Sequence, residues 1–203
     1  WYSYAETTDT MQAMKYTENA EVTKQVMIES FREKGDTAAW ANYVRDLTIK
    51  EPAANENYIQ MLISYYIKKD KEAGEGSNLM MEYVDAIIAA DPNVLMAYYG
   101  KAYKLFEQEK YDDALAAYKK CTELKSDYYD AWYQCGLCKY RQALAINAKV
   151  SSIKNQVEAK KTLESARSLF GDAIPYFEKA RECAPDDPNK WAFELRQCYN
   201  VNR

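Results

Sequence analysis

The side chains best suited to chemistry in this 203-residue chain are its five cysteines, Cys121, Cys135, Cys138, Cys183 and Cys198. Cys135-Gly-Leu-Cys138 has the C-x-x-C spacing of a redox dithiol. Such pairs stand where a strand turns into a helix, whereas these two fall inside a helical pattern. We read them as small packing residues. No second C-x-x-C follows, and the chain contains no histidine, so no zinc-ligand pattern exists. The same lack of histidine excludes Ser-His-Asp and Cys-His nucleophile pairs. Gly74-Glu-Gly76 is not followed by the Lys-Ser/Thr of a phosphate-binding loop. Carboxylates are plentiful, and glycoside hydrolysis needs only two. However, Asp112-Asp113 opens a helix, where acids complement the dipole, and Asp186-Asp187 flanks another helix start. The sequence thus predicts no enzyme, no catalytic residue, no metal and no cofactor.

The elements that position these residues are helices. Gly (6) and Pro (5) are scarce, whereas all-β folds spend both on turns. Apolar residues make up 48% of the chain and charged residues 29%, which is the balance of a folded domain with a core. The net charge is -4, with Lys and Arg scattered among acids, so no nucleic-acid face is predicted. The densest basic run, Lys68-Lys69-Asp70-Lys71, reads as a solvated loop. No window holds eighteen uninterrupted apolar residues, so no transmembrane helix is expected. The sequence starts at Trp1 rather than Met, which suggests a processed product from which an export signal has been removed. The odd cysteine count leaves at least one thiol unpaired in a monomer.

Punctuation recurs along the chain at Glu51-Pro52, Asp91-Pro92 and Ala184-Pro185, with Ser126 standing in between. Proline just past a helix end is a stop signal. Between these marks lie two half-repeats with the same spacing. One runs Phe170-Gly-Asp-Ala173-Ile-Pro-Tyr-Phe177-Glu-Lys-Ala180 to Pro185, the other Tyr111-Asp-Asp-Ala114-Leu-Ala-Ala-Tyr118-Lys-Lys-Cys121. Ala114 and Ala173 belong where two helices approach closely, with Tyr118 and Phe177 filling the space beside them. The other half of the pattern is W-x2-L-G-x2-Y. Trp132, Cys135 and Gly136 fit it, with Lys139 at the tyrosine position. Tyr58, Met61, Leu62 and Tyr65 fit it too, as do Tyr98, Ala102 and Leu105. An earlier copy, Lys24, Met27, Ile28 and Phe31, is followed by a second helix with Trp40 where a small residue belongs.

These residues resemble the tetratricopeptide (TPR) repeat family. The resemblance implies an all-α, right-handed superhelical solenoid of TPR-like helix pairs with a C-terminal capping helix. The pairs are expected at about 21-54, 55-94, 95-128 and 129-187. The cap, with Trp191, Leu195 and Tyr199, is expected at 188-203. Residues 1-20 are an unassigned N-terminal segment. Two insertions interrupt the period, a longer loop near Lys71-Gly76 and about 25 residues between Tyr140 and Phe170. The second still reads helical, so both helices of the last pair should lengthen by roughly three turns each, at about 1.5 Å rise per residue. Ser151 or Ser152 is expected to cap the second. The long last pair with Pro175-Tyr-Phe-Glu-Lys-Ala180, then Leu195 and Tyr199, is similar to TPR proteins of the bacterial envelope. That similarity favours a periplasmic or cell-surface location, with cytoplasmic as the alternative.

In this family the first helices line a concave groove, so the resemblance nominates positions facing a ligand. They are Gln25, Glu29 and Arg32, then Ile59, Ile63 and Tyr66. Further along come Tyr99, Tyr103 and Phe106, then Tyr133, Leu137, Tyr140 and Arg141, and finally Arg196. The groove is aromatic in a chain with 19 tyrosines, a residue that offers large contact area at small entropic cost. The Lys/Asn/Arg carboxylate clamp of chaperone-binding members is absent. Its positions hold Gln25, Glu29, Gln60, Met96 and Gly100. The implied function is a non-enzymatic scaffold that binds a segment of another protein along an aromatic concave groove. Tyr66, Tyr99, Tyr103, Phe106, Tyr133, Tyr140, Arg141 and Arg196 are the expected partner-binding residues. Two alternatives stay open: a structural or assembly protein whose groove is self-filled, and glycan or small-ligand capture by the tyrosine cluster. A homo-oligomer is compatible with either.

Overall fold

The computed structural model describes residues 22-202 apart from 32 and 75, and among these the chain is helical with no β-strand. The segment 1-20 and Arg32 lie outside the described residues. Helix α1 covers 22-31. It is followed by α2 (Thr37–Lys50), α3 (Glu56–Ala73), α4 (Leu79–Ala90), α5 (Leu95–Glu107), α6 (Tyr111–Leu124), α7 (Tyr129–Val150), α8 (Gln156–Cys183) and α9 (Ala192–Val201). Pro52, Pro92, Ser126 and Pro185 all fall in the turns between helices, where a residue with fixed φ and no N–H cannot extend the preceding helix.

Helices touch their chain neighbours, with α2 also meeting α4 and α3 meeting α5. This near-neighbour pattern is that of a solenoid, in which each pair hides its apolar stripe against the next. The core accordingly forms three clusters in chain order, around Tyr83 and Ile59, around Tyr118 and Cys135, and around Phe177 and Tyr140. Ala114 and Ala173 are fully buried, as are Tyr118 and Phe177 one helical turn on. Gly136 explains the tight crossing of α7 and α8, since a Cβ there would lie 2.7 Å from the Phe177 ring. In α2 the fully packed small residue is Ala41. Trp40 instead lies half-buried, edge-on to Tyr65 at 6.4 Å, so the register of this helix is shifted by one residue from the reading that put Trp40 in the small slot.

The insertion in the last pair lengthens its helices. They have 22 and 28 residues, against 13 and 14 in α5 and α6. The serine cap is corrected. Ser151 and Ser152 donate back to Ala148 and Lys149 carbonyls, and Asn155 caps α8, accepting from the Val157 and Glu158 amides. Asn155 has the extended backbone that an N-cap requires, whereas Ser151 still has helical dihedrals. Beyond its pairing with α7, α8 packs mainly against α9, and its Tyr176 ring also reaches back to α6, lying 5.5 Å from the Lys119 ammonium.

The loop expected near Lys71–Gly76 shrinks to residues 74-78, because α3 runs on through Ala73. Lys68-Lys69-Asp70-Lys71 is therefore helical, not a solvated loop, and Asp70 is only 4% exposed. Its carboxylate accepts from the Ser77 hydroxyl at 2.7 Å and the Leu79 amide at 2.8 Å. The Lys104 ammonium stands 3.7 Å away. One buried acid thus fixes the start of α4, complementing its amide dipoles from the preceding helix.

Candidate partner-binding face and its aromatic seam

Tyr99, Tyr103 and Phe106 follow one another at spacings of four and three, which places them on one flank of α5. Their environments differ. Tyr99 turns into the joint between pairs, edge-on to Tyr118 at 5.4 Å and tilted against Tyr128 at 5.7 Å. Burial there, followed by the charge of Asp130, pushes its phenol up to about 12. Tyr103 is 36% exposed, and its hydroxyl donates to the Glu107 carboxylate one turn on, at 2.8 Å. That hydrogen bond raises the Tyr103 pKa, with burial second. Phe106 meets Tyr111 edge-on at 5.2 Å across the α5–α6 turn.

On α7 the ring positions are largely consumed by packing. Tyr133 is stacked on Tyr129 at 5.7 Å and tilted against Phe177 at 5.5 Å. Burial and the nearby Glu194 carboxylate push its phenol up to about 12. Tyr140 is only 7% exposed. Its ring stands edge-on to Phe170 and its hydroxyl donates to Gln197 on α9 at 2.9 Å. Arg141 beside it is exposed; burial raises the phenols of Tyr111, Tyr133 and Tyr140, and the Arg141 charge offsets only part of that rise.

Several nominated positions are interior rather than ligand-facing. Ile59, Ile63 and Tyr66 are buried in the first core cluster, Tyr66 between Tyr65 and Tyr83. Tyr140 is buried in the third. The physical reason is that α3 and α7 are each sandwiched, α3 by α2, α4 and α5, and α7 by α6 and α8. A flank that sequence spacing alone assigns to solvent is then shared with a second neighbour. Gln25 and Glu29 are exposed on α1.

Arg196 does not join the others. Glu194 and Gln197 reach Tyr133 and Tyr140 on α7, and at 100° per residue Arg196 lies roughly opposite Glu194 on α9. It lines a separate pocket with Arg181 of α8.

Phe106 therefore meets Tyr111, Tyr111 feels the charge of Arg141, and Tyr103 stands one turn before Phe106 on the same flank of α5. Tyr111 was not among the nominated residues. Its signal was present, as the aromatic that opens the second helix of the pair. Lys139, at the position usually held by tyrosine, ties this corner together by reaching Asp112 at 3.5 Å and Gln142 at 3.2 Å.

Among the described residues no group of His, Cys, Asp and Glu could hold a metal ion, and no helix is long and apolar enough to cross a membrane. Cys135 and Cys138 are fully buried within α7, and burial pushes the Cys138 thiol up to about 12 and that of Cys135 higher still. A redox dithiol needs the opposite shift.

Two-helix repeats stacked in line define an all-α solenoid. A family model for the TPR repeat matches residues 102–143, from within α5 through α6 into α7. No curated protein matches it. Among solved structures, it resembles one of MamA at 16% identity, covering 86% of this chain and 93% of that one with a TM-score of 0.41. A second, of MamA protein, gives 20% identity, 84% and 94% coverage, and a TM-score of 0.44.

Proposed function

We propose that this scaffold holds an extended segment of a partner protein along the exposed flank of α5 and α7. Tyr103 and Phe106 supply contact area there, and Arg141 engages an acidic group. The observation that carries the reading is that Tyr103 and Arg141 remain exposed on successive first helices, while Phe106 of α5 meets Tyr111 of α6, which in turn feels the Arg141 charge. An exposed tyrosine already held by Glu107 loses little conformational entropy on binding. One anchoring aromatic of this kind is worth about 2 kcal/mol. Tyr99 and Tyr133 contribute their outer edges, and Tyr66 and Tyr140 support the face from within.

The rival reading, a structural protein with a self-filled groove, draws on a specific observation too. Tyr66, Tyr99, Tyr133 and Tyr140 all spend their ring faces on intramolecular partners. What weighs against it is that, among the described residues, the extended part of the long α8 pairs with α7 and α8 otherwise packs mainly on α9.

The test is capture from a lysate of the source organism by wild type and by Tyr103→Ala/Arg141→Gln. Both positions are exposed, so the fold is undisturbed. Loss of specific protein partners by the variant is the expected result. Equal capture by both proteins overturns the face assignment, and binding of a glycan array with no protein partner turns the reading to carbohydrate capture.

A further inference from the structure

The end of the solenoid carries a pocket of about 470 Å³ that lies away from the Tyr103 face. Arg181 of α8 lines it together with Trp191, Leu195, Arg196 and Tyr199. Its walls are held in place. The Trp191 indole N–H donates to the Ala184 carbonyl at 2.9 Å, and the Arg181 guanidinium lies over the indole ring at 5.7 Å. Stacking occupies the face of a guanidinium and leaves its N–H edge for a ligand. Leu195, 3% exposed, provides an apolar floor.

Two cations line one pocket here. Acids outnumber bases, 31 to 27, yet among the described residues neither Arg181 nor Arg196 has a carboxylate within salt-bridge distance. The acids nearby in sequence have other partners. Glu182 pairs with Lys179 at 2.6 Å, Asp187 with Lys190 at 3.6 Å, and Glu178 accepts from the Tyr199 hydroxyl. Two guanidiniums thus face one open pocket with aromatic and aliphatic walls, and neither forms an ion pair among the described residues, the Glu178 carboxylate at the edge being hydrogen-bonded to Tyr199.

We propose that this pocket is a second recognition site, for a peptide carboxylate flanked by an apolar side chain. The carboxylate bridges Arg181 and Arg196, and the apolar neighbour lies on Trp191 and Leu195. Guanidinium–carboxylate pairing is bidentate and directional, which gives selectivity for acid over amide. The volume suits one or two residues. The site stands independently of the Tyr103 face.

The experiment is a titration of the ¹⁵N-labelled protein with two peptide pairs. One pair carries an internal acid beside phenylalanine or its glutamine counterpart, both amidated. The other ends in phenylalanine with a free or an amidated terminus. Signals from the Trp191 indole and the Arg181 and Arg196 side chains should shift with a carboxylate form, with the amide counterpart about tenfold weaker or more. The pair that responds tells whether the carboxylate is a side chain or a chain end. Arg196→Gln, which leaves the Arg181–Trp191 stack intact, should weaken binding about tenfold as well, and Tyr103→Ala should leave it unchanged. Equal binding of acid and amide, no shift at millimolar peptide, or acetate alone matching the peptide affinity overturns the proposal.

Discussion

Helices α5 and α7 occupy equivalent places in successive pairs, yet one keeps an aromatic on the surface and the other turns its aromatics inward. On α5, Tyr103 remains exposed and bonded only to its own Glu107. On α7, Tyr133 and Tyr140 are taken up by Phe177, Phe170 and the polar groups of α9. The difference comes from the neighbours. Helix α7 runs beside a partner of 28 residues and lies next to a cap, whereas the second helix of the α5 pair has 14. In a repeat protein, then, the same motif position is a binding residue or a core residue according to what the following elements cover.

The comparison breaks most readily at Phe177, which is fully buried against Tyr133 and Tyr140. Phe177→Ala should lower stability by about 3–5 kcal/mol in denaturant unfolding. Tyr103→Ala should change it by less than about 0.5 kcal/mol. If both cost the same, α5 and α7 do not differ as described.

Next in size are the two glycines. Gly136→Ala places a methyl 2.7 Å from the Phe177 ring, a buried ring with no room to retreat. Overpacking there should cost about 1–3 kcal/mol, more than the gain of about 1 kcal/mol in helix propensity. Gly100→Ala on α5 meets the Cδ1 end of Ile63 at 2.9 Å, with Ile63 Cγ1 and Val84 Cγ1 at an ordinary 3.4 Å. The Cδ1 methyl can rotate away, so this variant should stay within about 1 kcal/mol of wild type.

Tyr118 fills the slot that Phe177 fills one pair later, but its buried hydroxyl has no hydrogen-bond partner. Tyr118→Phe copies the later pair and should stabilise the protein by about 1 kcal/mol, measured as a rise in the unfolding midpoint.

The smallest effect is a pH dependence. Tyr99 and Tyr133 hold their protons in the folded state up to about 12, above the ordinary value of 10.0. An unfolded chain releases them earlier, so their contribution to stability is complete below pH 10 and is lost as pH rises from 10 through 12. Phenolate absorbance of the folded protein should show these two residues titrating in that upper range. If they titrate at the ordinary value, their rings are not buried as described and the contrast dissolves.

Much of this molecule was legible as local pattern. Proline punctuation marked the turns, and Ala114, Ala173, Tyr118 and Phe177 announced close helix crossings. The lack of histidine removed whole classes of chemistry before any fold was known. These are matters of chain stiffness, hydrogen-bond supply and apolar spacing within one or two helices, and a sequence carries them directly. Only the tertiary structure decided which flank of each first helix meets solvent. It buried Tyr66 and Tyr140, made Asp70 a buried anchor for α4, moved the α8 cap to Asn155, and separated Arg196 from Arg141 into a pocket with Arg181. Each of these depends on contacts between residues far apart in the chain, whose geometry is set by how neighbouring pairs share their surfaces rather than by the period of any one helix.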